Sequence, residues 1–100
     1  MITSKTQVDV AGTPTLLYVP QINMNGTSKE SLMAELYEAH DALFKAIKAV
    51  GDITVHGRDW QTVEDEAEFL AARTMQARRV ATLDQIKDEL GALYALIEQQ

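Results

Sequence analysis

The chain reads as an α+β protein, with an N-terminal β-hairpin followed by two long antiparallel α-helices, the C-terminal one very long and oligomerising. Three observations predict this. Two β-favouring runs, KTQVDV and TLLYV, flank a turn-like AGTP near the N-terminus. Apolar residues then recur every three or four positions from Leu32 to Val50. A last segment runs from Thr62 to the end without proline and with Gly91 as its only glycine.

Residues 1–100 form a single domain, divided into hairpin and connector (1–26), helix (27–51), loop or short strand (52–61) and long helix (62–100). In the hairpin, Lys5 to Val10 and Thr15 to Val19 are the strands, with Gly12 and Pro14 marking the turn. A lone hairpin is marginal in water, so it must pack on the helices or pair with another strand, in this chain or a second one. Pro20 closes the second run, and QINMNGTS is a connector around an Asn25-Gly26 turn.

Thr27 and Glu30 have capping-box spacing, with Ser28 a competing N-cap. Leu32, Met33, Leu36, Tyr37, His40, Leu43, Phe44, Ile47 and Val50 make the helix amphipathic, and Gly51 stands where a left-handed C-terminal residue belongs. DITV is then a brief strand or extended piece. Thr62 with Asp65 signals the second helix, and Glu64, Asp65, Glu66 and Glu68 suit the positive end of its dipole. That helix extends for ~50 Å at about 1.5 Å per residue. Its shorter neighbour cannot cover the whole apolar stripe. In its C-terminal half Leu83, Ile86, Leu90, Leu93 and Ile97 form a heptad-like seam, which self-association or the hairpin must cover.

Composition narrows the function. A chain of 100 residues, 46% hydrophobic, supports one modest core. Zero cysteines exclude disulfides, thiolate metal sites and a thiol nucleophile. No apolar run suits a signal peptide or membrane span, so a cytoplasmic protein without membrane contact is expected. A net charge of −6 opposes direct DNA binding, which needs a basic stripe.

The functionally capable residues crowd into ITVHGRDWQTVED. Gly57 permits close backbone approach or a positive φ. Arg58 offers planar bidentate donors suited to phosphate. Trp60 offers a stacking face for a base, or else a core plug beneath the loop. Asp59 and Gln61 suit the polar edges of a base or ribose, and Asp59 equally suits an N-cap or a partnership with Arg58. On the following helix, at about 100° per residue, Gln76 falls within about 20° of Phe69 and Arg73 within about 40°. Arg79 borders the same face and Arg78 points to the opposite side. These groups need carboxylates such as Glu35, Glu38 or Asp41, solvent, or an anionic ligand. Catalysis is not expected, because His56 and Asp59 lack an accompanying nucleophile or oxyanion motif. His40 and His56 lack metal-pair spacing, and no cofactor fingerprint occurs.

In layout the chain resembles phage-encoded accessory proteins. More narrowly it is similar to the first Thoeris anti-defence family of nucleotide sponges, in being small and cysteine-free with an N-terminal β-segment and two C-terminal helices, the second very long. The likeness covers most of the chain. Proteins of that family assemble through long helices and hold a cyclic ADP-ribose-type immune signal with an aromatic stack and arginines. The resemblance implies that Trp60 stacks on the ligand while Arg58, Arg73 and Arg79 hold its phosphates. It further implies a homo-oligomer in the host cytoplasm that sequesters a small anionic signalling nucleotide, cyclic ADP-ribose-type or a cyclic oligonucleotide, without catalysis. Two other readings stand beside it: a helical protein-interaction module inhibiting a host protein, and a small phage structural or assembly protein.

Overall fold

The computed structural model describes residues 4–60 and 66–100. Its elements are β1 (Lys5–Val10), β2 (Thr13–Tyr18), α1 (Lys29–Gly51), a 3-10 turn (Gly57–Trp60) and α2 (Glu66–Glu98). The α+β arrangement of a hairpin and two helices, the second long, is therefore the one found. The helix start expected at Thr62 lies outside the described residues.

β1 and β2 pair antiparallel from Lys5↔Tyr18 to Val10↔Thr13, which leaves a two-residue loop rather than the four residues AGTP. Ala11 and Gly12 both take positive φ, 51° and 83°. That combination is the type I′ turn whose twist matches paired strands. Pro14 is a strand residue opposite Asp9. Because Val10 and Thr13 close the loop as a hydrogen-bonded pair, the next pair is non-hydrogen-bonded and Pro14 loses nothing by lacking an N–H. Alternation turns Thr6, Val8 and Val10, with Thr15, Leu17 and Val19, towards the helices, and leaves Leu16 and Tyr18 exposed outside.

The N-cap of α1 is Ser28 and not Thr27, and the Ser28 hydroxyl accepts the Ser31 N–H at 3.1 Å. Its other end also departs from expectation. Gly51 is still helical and has no positive φ, and the cap is Asp52 in a right-handed conformation (φ −81°, ψ −7°). The Asp52 N–H donates to the Lys48 carbonyl at 3.0 Å and its carboxylate meets Lys48 Nζ at 3.1 Å, which carries the last turn past the glycine. The residues of DITV after the cap form no strand.

The two helices run antiparallel. At one end Lys29 Nζ donates to the Glu98 carbonyl at 3.0 Å, and at the other Gln76 Nε2 donates to the Val50 carbonyl. α1 thus lies along α2 from Gln76 to Glu98, and the first turns of α2 project beyond it, where the segment after α1 folds back. The hairpin packs at the opposite end, where Val10, Val19 and Ile97 are buried. Gln100 ties the connector down, accepting the Ile22 N–H at 2.9 Å and donating to the Pro20 carbonyl at 2.8 Å. The hairpin therefore covers the C-terminal end of the Leu83–Ile97 seam, while Ile86 stays 41% exposed. The molecule is a rod of 63 × 24 × 17 Å. No helix among the described residues is long and apolar enough to cross a membrane.

Gly91 lies where the helices approach. A Cβ there would sit 3.7 Å from the His40 ring, an ordinary van der Waals contact. Since glycine costs a helix interior about 0.8–1.0 kcal/mol relative to alanine, Gly91→Ala is expected to stabilise the protein by up to about 1 kcal/mol. Thermal denaturation checks this as a Tm rise of several degrees.

Candidate functional site

The segment after α1 is held by backbone bonds at both ends. Ile53 N–H donates to the Val50 carbonyl at 3.1 Å, and Asp59 N–H to the His56 carbonyl at 3.0 Å. His56 Nδ1 accepts the Arg58 N–H at 3.0 Å and faces Arg58 Nε at 3.5 Å. His56 Nδ1 thus caps the 3-10 turn, a structural duty that occupies this nitrogen. Gly57 needs none of glycine's freedom, for its φ is not positive and a Cβ would only touch the Phe69 ring at 3.9 Å.

This segment and α2 enclose a cavity of about 300 Å³ lined by Ile53, Thr54, Val55, Trp60, Ala72, Met75, Gln76 and Arg79. A second, also about 300 Å³, adjoins it and takes in Arg73, Gln76 and Val80. A third of about 520 Å³ lies towards α1, lined by Val50, Ile53, Arg78, Arg79, Thr82 and Leu83. Ile53 borders all three. Trp60, Gln76 and Arg79 are thus brought together, and Arg73 stands next door, its guanidinium 5.8 Å from the Phe69 ring centroid. Gly57, Arg58 and Asp59 sit on the adjoining 3-10 turn. Gln61 lies outside the described residues. Arg78 lines the third cavity with Arg79 and neither of the two cavities that Gln76 lines.

Gln76 is committed to the fold. Its amide donates to the last-turn carbonyl of Val50, and its carbonyl oxygen accepts from Arg79 Nη1 at 3.3 Å. One side chain thereby locks the end of α1 onto α2 and aims an arginine along the cavity rim.

The electrostatics are distinctive. All four arginines of the chain, Arg58, Arg73, Arg78 and Arg79, belong to this end. Every ion pair among the described residues uses a lysine: Lys45 with Asp41, Lys48 with Asp52, and Lys87 with Asp84 and Asp88. None of the arginines pairs with Glu35, Glu38, Asp41 or any other carboxylate among the described residues. An acidic protein therefore carries its arginines on the 3-10 turn and the first half of α2, with Arg79 on the Trp60 cavity, Arg73 on the adjoining one and Arg78 on the third, and among the described residues none of them meets a carboxylate. Among the described residues no group of three or more His, Asp or Glu side chains is placed to hold a metal ion.

The walls contributed by Ile53, Val55, Ala72 and Met75 were not apparent from chemistry-bearing residue types. The alternation of Ile53 and Val55 immediately before the tryptophan loop is the signal that points to them. No family model matches the chain, and no curated protein or solved structure compared with it is similar to it.

Proposed function

We propose that the loop end of the protein binds a small anionic nucleotide of a signalling kind and sequesters it without chemical change. The observation that carries this reading is the placement of Trp60 and Arg79 on one cavity of about 300 Å³, with Arg73 and Arg78 on neighbouring ones of about 300 and 520 Å³ and, among the described residues, no carboxylate paired with an arginine. Those sizes suit a small ligand. In this reading Trp60 stacks on a base, Arg79, held by Gln76, meets phosphate from one side, and Arg73 and Arg58 complete the rim. Ile53 and Met75 supply apolar walls. In this reading the protein acts as an assembly of identical chains in the cytoplasm, and the assembly is supported by the 41% exposure of Ile86 on the α2 seam.

A thermal-shift series against cyclic oligonucleotides and cyclic ADP-ribose isomers tests the reading. Ligand at a hundredfold excess over its Kd is expected to add about 2.7 kcal/mol of stability. Mass spectrometry of the released ligand is expected to return it intact. Absence of a shift with every nucleotide overturns binding, and a converted ligand overturns sequestration.

A further inference from the structure

The connector between the hairpin and α1 is fixed at both ends and open in the middle. Gln100 holds Pro20 and Ile22, and Ser28 caps α1. Between them Asn23, Met24, Asn25 and Gly26 form an exposed turn, with Met24 99% exposed at its tip. The turn carries both asparagines of the chain. Their side chains are placed differently. Asn23 is engaged at both ends of its amide, for Nδ2 donates to the Gln21 carbonyl at 3.0 Å and Oδ1 accepts the Asn25 N–H at 3.0 Å. The Asn25 side chain makes no hydrogen bond among the described residues and lies open to water.

An asparagine reacts with its own chain when its side-chain carbonyl carbon is free to turn towards the next backbone nitrogen and that nitrogen is uncrowded. The first condition holds at Asn25. The second holds because residue 26 is glycine, which has no Cβ to crowd the approach. Asn23 meets neither, being held at both ends and followed by Met24. The Gly26 N–H does donate to the Asn23 carbonyl, but at 3.3 Å, beyond the ~2.7–3.2 Å of ordinary bonds of this kind. It is a weak restraint on the nitrogen.

We propose that Asn25 is a site of spontaneous covalent modification, converting to aspartate and isoaspartate through a cyclic imide with Gly26, while Asn23 stays intact. The Gly26 nitrogen gives its proton to hydroxide and bonds to Asn25 Cγ. The Cγ–Nδ2 bond then breaks, and Nδ2 takes a proton from water and leaves as ammonia. A water molecule opens the imide at either carbonyl. Breaking the new N–Cγ bond leaves aspartate, and breaking the bond from the nitrogen to the main-chain carbonyl carbon leaves isoaspartate. In sum one water is consumed and one ammonia released, with no oxidant or reductant. Either product adds a carboxylate to the connector. Isoaspartate also lengthens the main chain by one carbon between Ile22 and Ser28, which are both fixed. The turn lies at the hairpin end, away from Trp60, so the inference is independent of nucleotide binding.

Ageing the whole chain in mildly alkaline buffer, followed by mass spectrometry of the proteolytic fragment that carries both asparagines, tests the proposal. The wild type is expected to gain one mass unit at Asn25, as separable aspartate and isoaspartate forms, and none at Asn23. In mildly acidic buffer, where hydroxide is scarcer, the rate is expected to fall about tenfold or more. Gly26→Ala is expected to slow the reaction by about tenfold or more. The added Cβ stands 3.3 Å from Asn23 Nδ2, so that side chain shifts slightly. Since the shift touches the turn itself, a second measurement uses the native sequence. The wild type unfolded in urea is expected to react within about tenfold of the folded rate. A folded chain slower than that overturns the proposal, because the turn then shields the Gly26 nitrogen. An unchanged mass, reaction at Asn23 as fast as at Asn25, or an undiminished rate in Gly26→Ala overturns it as well.

Discussion

Ile97→Ala is expected to cost roughly 2–5 kcal/mol, the range for truncating a well-buried isoleucine. Ile97 is 1% exposed, and only Val10 and Val19 match its burial among the described residues. It stands near the end of α2, where the hairpin rests, so the cavity left behind opens the joint between sheet and helix. Against the 5–15 kcal/mol typical of a domain, the loss is a large fraction of the total. Its consequence is also local. A free two-stranded hairpin is marginal in water, so residues 4–20 become the first protease-sensitive segment. Urea denaturation reads the loss as a lower midpoint, and limited proteolysis reads the released hairpin. An unchanged midpoint would remove Ile97 from the centre of the core.

The second large effect concerns the ligand. Trp60→Ala is expected to weaken nucleotide binding by about 5- to 150-fold, the equivalent of the 1–3 kcal/mol that base–aromatic stacking supplies. Arg79→Ala removes a charged hydrogen-bond donor worth about 1.5–3 kcal/mol to a phosphate. Both side chains line one cavity, so their losses are coupled rather than simply additive. The double variant is expected to show no nucleotide-dependent shift at concentrations that saturate the wild type. Stability without ligand should hardly change, because Trp60 is only part-buried and Arg79 is exposed. A shift of wild-type size in the double variant would move the site elsewhere.

How much of this was legible in the sequence depends on the kind of signal each residue carries. The 3.6-residue rhythm from Leu32 to Val50 identified α1 because burial of one face demands that spacing. The hairpin was legible in outline, but its turn was read two residues too long. Alanine rarely takes positive φ, so Ala11 gave no hint of a type I′ loop, and Pro14 suggested a turn where the strand had already begun. Gly51 misled for a related reason. Its flexibility permits a left-handed cap, but the Lys48–Asp52 pair made another helical residue the better solution. In the site, Trp60 and the arginines stood out by residue type. The double duty of Gln76 did not, because the carbonyl that it meets lies 26 residues away on another helix. The apolar walls were silent too, since isoleucine and methionine look the same in a core and in a cavity.

The rod's two ends are built differently, and this bears on how the protein can change. The buried contacts of Val10, Val19 and Ile97 lie at one end of a 63 Å molecule, and Trp60 and the arginines lie towards the other. Substitutions so far apart act independently. Substitution of Trp60 or the arginines is therefore expected to leave the hairpin joint intact. In the proposed reading, ligand preference can change at the loop end while Val10, Val19 and Ile97 anchor the other.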